Sequence, residues 1–220
     1  HVLFSSPELA FSNFEGMLKR IFERFETDDH VLTFSSLLNF RYEVDPTYKS
    51  NRKGARKPLC YAAVKELAHE HYSCTTMEGL EADDIMGILA TKPGTAQRII
   101  VSQDKDMKTI PTTVWTGKDL LHVTEDEADY NHMYQTLIGD TSDGYKGWPG
   151  VGPVKAKKLL DFATDSGRIS PREKYVWDQV VNTYMSAGLT ADDALRQARL
   201  ARILRWSDWD AKKKEPKLWT

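Results

Sequence analysis

The spacing of apolar side chains predicts that helices and strands alternate through the first two thirds of the chain. Apolar residues recur at intervals of three and four over residues 13–25, which predicts an amphipathic helix, and residues 31–34 predict a buried strand. The same spacing predicts helices at residues 58–71 and 80–89. The β-branched run 98–102 predicts a central parallel strand buried on both faces. We therefore expect an α/β fold with a central, mainly parallel sheet flanked by helices.

The last third of the chain shows only helical spacing. It follows a glycine-rich segment that ends at Gly152, and Gly188 is placed to end a helix within it. The predicted helices cover residues 154–162, 173–187 and 192–206. We therefore predict two regions, an α/β core over residues 1–138 and a helical region over residues 139–220.

Composition sets few limits on function. The 220 residues are 40% hydrophobic and 28% charged, as expected for a folded chain with one sizeable core. The net charge of −2 does not favour nucleic acid by itself, although acids gathered at a metal site can conceal a basic surface. Cys60 and Cys74 lack the spacing of a disulfide framework or zinc site, which favours a reducing cytoplasm. No apolar run approaches the roughly eighteen residues of a membrane span.

Seven carboxylates fall in three short groups, and this clustering is the main chemical signal. The groups are Glu81, Asp83 and Asp84, then Asp104 and Asp106, then Asp140 and Asp143. Such acids repel one another unless cations gather them, and Mg²⁺ prefers oxygen ligands. The second group follows a predicted strand, where α/β sheets place ligand sites. Helix-start acids or solvated turns would explain single groups, whereas the three together favour two metal ions acting on a phosphodiester.

The third acid group runs into a glycine-rich loop and a basic helix. Gly150 and Gly152 permit close approach of a backbone, and the amides at a helix start can hold a phosphate. Lys155, Lys157 and Lys158 then add positive charge. A tight turn would explain the glycines alone, but the order of acid, turn and basic helix predicts a helix-hairpin-helix grip on duplex DNA.

These motifs resemble those of the 5′ nuclease, or flap endonuclease, superfamily. The resemblance rests on EADD at residues 81–84, SQDKD at residues 102–106, and GDTSD and PGVGP at residues 139–143 and 149–153. It covers roughly residues 31–160. Residues 45–53 and 197–205 more narrowly resemble the gene-six type 5′→3′ exonuclease of short-tailed bacteriophages. The resemblance implies a PIN-like nuclease core followed by the helix-hairpin-helix region.

The resemblance also implies a role for each matching residue. The first acid group matches ligands of the first metal, and the second and third groups match ligands of the second metal. Lys49 and Arg52 match catalytic basic residues that contact the scissile or terminal phosphate. Tyr48 is open to two interpretations, stacking on an unpaired base or packing in the protein. The further residues expected to bind DNA are Lys53, Arg56, Lys57, Gly150, Gly152, Lys155, Lys157 and Lys158.

The implied activity is a Mg²⁺- or Mn²⁺-dependent 5′→3′ exodeoxyribonuclease in phage DNA replication. We expect it to use two metal ions, to degrade duplex DNA from 5′ ends and to remove RNA primers from RNA–DNA hybrids. K⁺ at the helix-hairpin-helix loop, replication proteins as partners and the cytoplasm of a bacterial host complete the expectation. Two alternatives stay open: a structure-specific flap endonuclease, and a DNA-binding module with a degenerate metal site.

Two departures from the superfamily pattern favour the second alternative. The pattern begins with a strand that ends in a metal-binding aspartate, and nothing before His30 supplies one, so we expect that this segment is missing. A second aspartate is expected after the strand 31–34, where this chain has Ser35 and Ser36. Serine cannot supply the charge of a carboxylate, so the first metal is expected to bind more weakly.

Overall fold

The structure confirms the predicted alternation of helices and strands. The computed structural model describes residues 6–52, 54, 56–165 and 172–220. The helices are α1 (Pro7–Phe25), α2 (Arg41–Val44), α3 (Tyr61–His71), α4 (Ala82–Thr91), α5 (Glu125–Ile138), α6 (Pro153–Asp165), α7 (Arg172–Ser186) and α8 (Ala191–Ala201). The strands are β1 (Leu32–Thr33), β2 (Cys74–Thr75), β3 (Ile99–Val101), β4 (Thr113–Trp115), β5 (Leu120–His122), β6 (Trp209–Asp210) and β7 (Glu215–Pro216). Short 3₁₀ helices lie at Ser50–Arg52, Lys105–Thr109 and Trp206–Asp208.

Residues 1–34 and 54–76 form one compact unit. In it, β1 pairs in parallel with β2, and α1 packs beside α3. The helix α1 starts after Ser6 because the Ser6 hydroxyl accepts a hydrogen bond from the Leu9 amide at 3.2 Å. Its buried side chains include Phe11, as the amphipathic spacing predicts.

Residues 35–53 and 77–220 form a second compact unit, which contains all seven clustered acids. β3 pairs in parallel with β4, and β4 pairs in antiparallel with β5. Helices α5 to α8 bury a shared core whose members include Leu137, Leu160, Val180, Tyr184 and Ala194. The predicted boundary between residues 138 and 139 lies within this unit and stays a prediction. Within the described part of the chain, no helix is long and apolar enough to cross a membrane.

An ion pair between Arg41 and Asp84 lies at the centre of the second unit. Asp84 is fully buried and Arg41 is 2% exposed. The guanidinium donates to both oxygens of the carboxylate, at 2.7 and 2.8 Å. It also donates to the carbonyl oxygens of Leu200 at 3.0 Å and Arg202 at 2.6 Å. The pair therefore joins α2, α4 and the end of α8.

This pair explains where one helix prediction is wrong. We expected a helix over residues 192–206, but α8 ends at Ala201. Beyond Ala201 the backbone makes hydrogen bonds to the ion pair. The Arg202 carbonyl accepts a hydrogen bond from Arg41, and the Leu204 amide donates one to Asp84 at 3.1 Å. The chain then forms the antiparallel hairpin β6–β7, so the last third is not entirely helical.

The prediction of a strand buried on both faces is also wrong. The strand β3 has three residues, of which Ile100 is buried while Val101 is 40% exposed. Among the described residues its ladder partner is β4 alone, so β3 is an edge strand of its small sheet. A continuous run of β-branched residues therefore indicated a strand correctly but overstated its burial.

Replacing Arg41 by Met should lower the free energy of unfolding by about 3–5 kcal/mol, because it leaves the buried Asp84 carboxylate without its counter-charge. Urea titration of the single variant, of Asp84→Asn and of the double variant would measure this. The double variant should lose less than the sum of the two single losses. A loss below about 1 kcal/mol for Arg41→Met would contradict the central role of the pair.

Candidate active site

Local helix and turn geometry presents the clustered acids. Glu81 is the N-cap of α4, and Asp83 lies in the first turn of that helix. Asp104 caps the 3₁₀ helix Lys105–Thr109 by accepting a hydrogen bond from the Asp106 amide at 2.9 Å. The sequence therefore places these acids at the starts of helices, where negative side chains oppose the helix dipole favourably.

The third acid group lies in a tight turn that follows α5. The backbones of Asp140 and Tyr145 exchange two hydrogen bonds, at 2.9 and 3.1 Å. Gly139 and Gly147 lie back to back at the base of this turn, both with positive φ, and a Cβ atom on either would collide with the backbone of the other. The buried Gln197 side chain accepts a hydrogen bond from the Gly147 amide at 2.8 Å. The turn is therefore held in one position.

The basic segment that contains Lys49 lies against this turn. The Lys49 amide donates to the Asp143 carbonyl at 2.8 Å, and Lys49 has a left-handed φ of 52°. The Asn51 amide group donates to the Thr141 carbonyl at 2.8 Å, and Arg52 Nε donates to the Ser142 carbonyl at 2.8 Å. One backbone amide and two side chains of this segment thus donate to backbone carbonyls about ninety positions away in sequence.

Besides Asp84, three more of the clustered acids are neutralised by basic side chains. Lys49 Nζ lies 2.5 Å from Glu81 Oε1 and Arg52 Nη2 lies 2.5 Å from Asp143 Oδ1. Lys105 Nζ lies 3.0 Å from Asp140 Oδ2. Burial alone would raise the pKa of Glu81, but the charges of Arg41 and Lys49 outweigh it and hold that pKa below its usual value.

Two other acids carry negative charge that no neighbouring cation balances fully. Burial, followed by the charges of Glu81 and Asp104, raises the pKa of Asp83 to about 7. Burial and the charge of Asp104 raise the pKa of Asp106 to about 6. A carboxyl group whose ionisation is unfavourable in this way gains when a cation binds beside it. The region near Asp83 and Asp106 is therefore where added positive charge would stabilise the protein most.

Asp84 does not fit the predicted role of a metal ligand. Its carboxylate accepts hydrogen bonds from both Arg41 nitrogens, from the Leu204 amide and from the Glu81 amide at 3.2 Å. A carboxylate offers about four acceptor positions, and these contacts use them. Asp84 instead holds Arg41 and the start of α4, which carries Glu81 and Asp83.

Tyr48 packs inside the protein, so the prediction that it stacks on a base is wrong. Its side chain belongs to a buried cluster and is 3% exposed. Its hydroxyl lies 3.0 Å from Glu81 Oε2 and 3.0 Å from Asp143 Oδ2. The hydroxyl therefore lies between an acid of the first group and an acid of the third group. It can donate its one proton to only one of the two carboxylates at a time.

The carboxylate oxygens of the acids are suitable ligands for a hard divalent cation, but they do not form a complete coordination shell in this structure. Among the residues that the structure describes, no three acidic, histidine or cysteine side chains are arranged to hold a metal ion. The ammonium groups of Lys49 and Lys105 lie beside carboxylates and balance their negative charge, as a bound metal ion would. Carboxylate oxygen is the ligand that Mg²⁺ and Mn²⁺ prefer. Among the described residues, no lysine, arginine or histidine forms an ion pair with Asp83, Asp104 or Asp106.

Similarity to known proteins identifies the family of this chain. A family model described as the 5′-3′ exonuclease, N-terminal resolvase-like domain, matches residues 6–135. The exonuclease of Escherichia phage T7 is 36% identical over a match that covers 86% of this chain and 73% of that protein. The exodeoxyribonuclease of Enterobacteria phage T3 is 34% identical, with 86% and 72% covered. This chain belongs to the 5′→3′ exonuclease family.

The predicted fold and the family resemblance are confirmed together. A crystal structure of the flap endonuclease of bacteriophage T5 superposes with a TM-score of 0.66 at 18% identity, covering 90% of this chain and 82% of that one. Similarity at this identity establishes the α/β fold of the 5′ nucleases. This exonuclease-family chain is therefore a nuclease, and the roles of its individual residues stay predictions.

The predicted DNA-binding residues of the family motifs lie on the surface where the structure describes them. Lys155, Lys157 and Lys158 are exposed on α6, and Gly150 is exposed in the loop before it. Lys155 Nζ lies 4.1 Å from the centre of the Trp148 ring. Gly152 is exposed too, as are Arg56 and Lys57 in the first unit. Lys53 lies outside the described residues.

Several residues of the site gave no usable sequence signal. Arg41 is a lone arginine in a short helix, and Gln135 is one of many polar residues on α5, so neither forms a motif. Asn51 was part of the matched segment 45–53 but had no predicted role. Ser35, noted only as a departure from the pattern, accepts a hydrogen bond from the Ala82 amide at 3.0 Å and so caps the start of α4.

Without divalent metal, raising the pH from about 5 to 8 should lower the free energy of unfolding by roughly 2 kcal/mol, because the loss at Asp83 and Asp106 outweighs an opposing gain at the buried His132, whose pKa burial lowers to about 3. The folded chain retains protons on Asp83 and Asp106 that the unfolded chain releases at lower pH, so deprotonation in this range costs stability only in the folded state. The pKa values of Glu81 and Asp140 are lowered in the folded chain, so their contribution to the free energy of unfolding is lost only at more acidic pH.

Urea titrations at both pH values would measure this fall. Asp83→Asn should remove the larger part of it, whereas Asp119→Asn, which changes an exposed acid outside the clustered groups, should not. An equal fall in the parent and in Asp83→Asn would show that other groups cause it.

Proposed function

We propose that this chain hydrolyses phosphodiester bonds from the 5′ ends of duplex DNA in a reaction that depends on Mg²⁺ or Mn²⁺. The observation that carries the proposal is the junction of Lys49 and Arg52 with acids of two separate groups, at 2.5 Å contacts to Glu81 and Asp143. A nuclease of this family needs ligands for a cation and donors for a phosphate side by side, and this junction supplies both.

The acids would hold the metal. Asp83, Asp104 and Asp106 form no ion pair with another described residue, and Glu81, Asp140 and Asp143 would join them when their lysine and arginine partners move. Divalent ions held there would stabilise the negative charge that develops on the attacked phosphate. The T5 flap endonuclease has been crystallised with metal ions and in complex with DNA, which supports a metal-dependent reaction on DNA here. The number of ions, two by our sequence prediction, belongs to this proposal.

Lys49 and Arg52 would bind the phosphate. Each now neutralises a carboxylate, and a phosphate oxygen is an equivalent partner for an ammonium or guanidinium group. The left-handed backbone of Lys49 directs its side chain towards Glu81, and Tyr48 packs beside both. Arg52 is the more accessible of the two, with 49% of its side chain exposed, so it suits a terminal phosphate that arrives from solvent.

The helix α6 and the loop before it would grip the duplex. Three exposed lysines follow the start of this helix, whose free amides favour a phosphate. K⁺ at the loop, RNA–DNA hybrids as substrates, primer removal in phage replication, replication proteins as partners and the cytoplasm of a bacterial host belong to the same proposal. They rest on the family resemblance rather than on a contact in this chain.

A flap endonuclease is the second candidate. The T5 enzyme with this fold is named a flap endonuclease, and a Shewanella oneidensis relative with that name is 28% identical over 56% of this chain. The products distinguish the two activities, since an exonuclease releases mononucleotides and a flap endonuclease releases an intact flap. One observation favours the DNA-binding module instead: Ser35 lies where the family pattern has an acid that could bind metal.

The first test is a time course on blunt duplex DNA labelled at its 5′ end, with Mg²⁺ and with a chelator. We expect labelled mononucleotide only with metal. Asp104→Asn should reduce the rate by at least about a thousandfold while duplex affinity, measured by anisotropy, changes less than about threefold, because it removes a ligand and leaves the phosphate contacts.

The matched control is Asp119→Asn, which removes an exposed carboxylate outside the clustered groups. Cleavage by Asp104→Asn at the parent rate would exclude that acid from the site. A parent chain that binds duplex but releases no label with either metal would support the binding module instead.

A further inference from the structure

A small cavity lies among the acids of the second unit. Its volume is about 20 Å³, enough for one water molecule or one bare ion. The polar side chains that line it are Arg41, Tyr48, Glu81, Asp83, Asp106, Gln135, Asp143 and Tyr145. Gln135 is the one uncharged amide among these, and neither the sequence motifs nor the proposed chemistry gives it a role.

Gln135 contacts one of the clustered acids directly. Its Nε2 donates a hydrogen bond to Asp106 Oδ1 at 2.5 Å. The Asp106 backbone is held independently, because its amide donates to Asp104 Oδ1 at 2.9 Å. The main chain and the carboxylate of Asp106 are therefore both restrained, and the second carboxylate oxygen, Oδ2, accepts no hydrogen bond from another described residue.

The same residue also connects the second acid group to the third. The backbone carbonyl oxygen of Gln135 accepts a hydrogen bond from the Gly139 amide at 2.8 Å. This bond is at the end of α5, immediately before Asp140. The side chain of Gln135 thus holds an acid of the 3₁₀ helix Lys105–Thr109, while its backbone holds the turn that carries Asp140 and Asp143. No other described residue makes both contacts.

We propose that Gln135 is a positioning residue that orients the Asp106 carboxylate for the divalent ion. A carboxylate that is already oriented loses less rotational freedom when it binds a cation, so the N–H donor should raise metal affinity without touching metal or substrate. This inference rests on the proposed metal-dependent function and adds a residue that determines how tightly the metal binds.

The test is Gln135→Leu, which keeps similar bulk and removes the donor. Calorimetric titration of the full chain with MnCl₂, in the absence of DNA, should show an affinity about tenfold lower than that of the parent chain, as for other residues that orient metal ligands. In the cleavage assay, the Mg²⁺ concentration at half-maximal rate should rise about tenfold, while the rate at saturating Mg²⁺ stays within about threefold of the parent.

Asn131→Leu is the matched control. Asn131 lies one turn earlier on α5, and its amide donates to the Lys108 carbonyl of the same 3₁₀ helix at 3.3 Å, but it contacts no clustered acid. A general loosening of α5 against this 3₁₀ helix would affect both variants, whereas the proposed role affects only Gln135→Leu. Gln135→Asn, which withdraws the amide by one methylene and stays polar, provides a second variant if the leucine chain folds poorly.

The outcomes separate this inference from the proposed function. If the parent chain binds Mn²⁺ and cleaves DNA while Gln135→Leu and Asn131→Leu behave alike, the positioning role is wrong and the function stands. If Gln135→Leu loses its rate at saturating Mg²⁺ with unchanged Mn²⁺ affinity, the positioning role is also wrong. If the parent chain neither binds Mn²⁺ nor cleaves DNA, both proposals fail.

Discussion

The buried ion pair between Arg41 and Asp84 is the interaction on which the candidate site depends. Two desolvated charges persist at the centre of a unit only when hydrogen bonds satisfy them completely, and here backbone groups of residues 81, 200, 202 and 204 complete the set. The start of α4, which carries Glu81 and Asp83, is thereby joined to the segment after α8. The two acids at the start of α4 are therefore positioned by an ion pair whose carboxylate already accepts hydrogen bonds from Arg41 and from two backbone amides.

The remainder of the site shows a balance between carboxylates and internal cations. Lys49, Arg52 and Lys105 each neutralise one acid, which allows the chain to fold with its carboxylates close together. Asp83 and Asp106 are left with raised pKa values, because burial and neighbouring acids oppose their ionisation. Such a site stores unfavourable electrostatic energy that a bound cation relieves, so the chemistry of the family and the cost of folding arise from the same charges.

Restraint by neutral groups is the second theme of the site. The amide groups of Asn51, Gln135 and Gln197 each hold a backbone or carboxylate oxygen, or a backbone amide, of the acidic turns. They carry no charge, so they fix positions without adding to the electrostatic balance. These neutral contacts, together with the Arg41–Asp84 ion pair, restrain the short turns and helix starts that carry the acids.

The sequence by itself determined the α/β class, the family and the identity of the clustered acids. These depend on local spacing and on short motifs, which hold whatever the chain does elsewhere. The positions of most helices followed for the same reason. The tertiary structure alone decided which acids remain accessible to a metal ion, since Asp84 is paired with Arg41, forty-three positions away. It also decided the place of Tyr48, which is buried between carboxylates rather than exposed to stack on a base. It also decided where α8 ends and what Gln135 contacts, because both depend on partners distant in sequence, which no local pattern encodes.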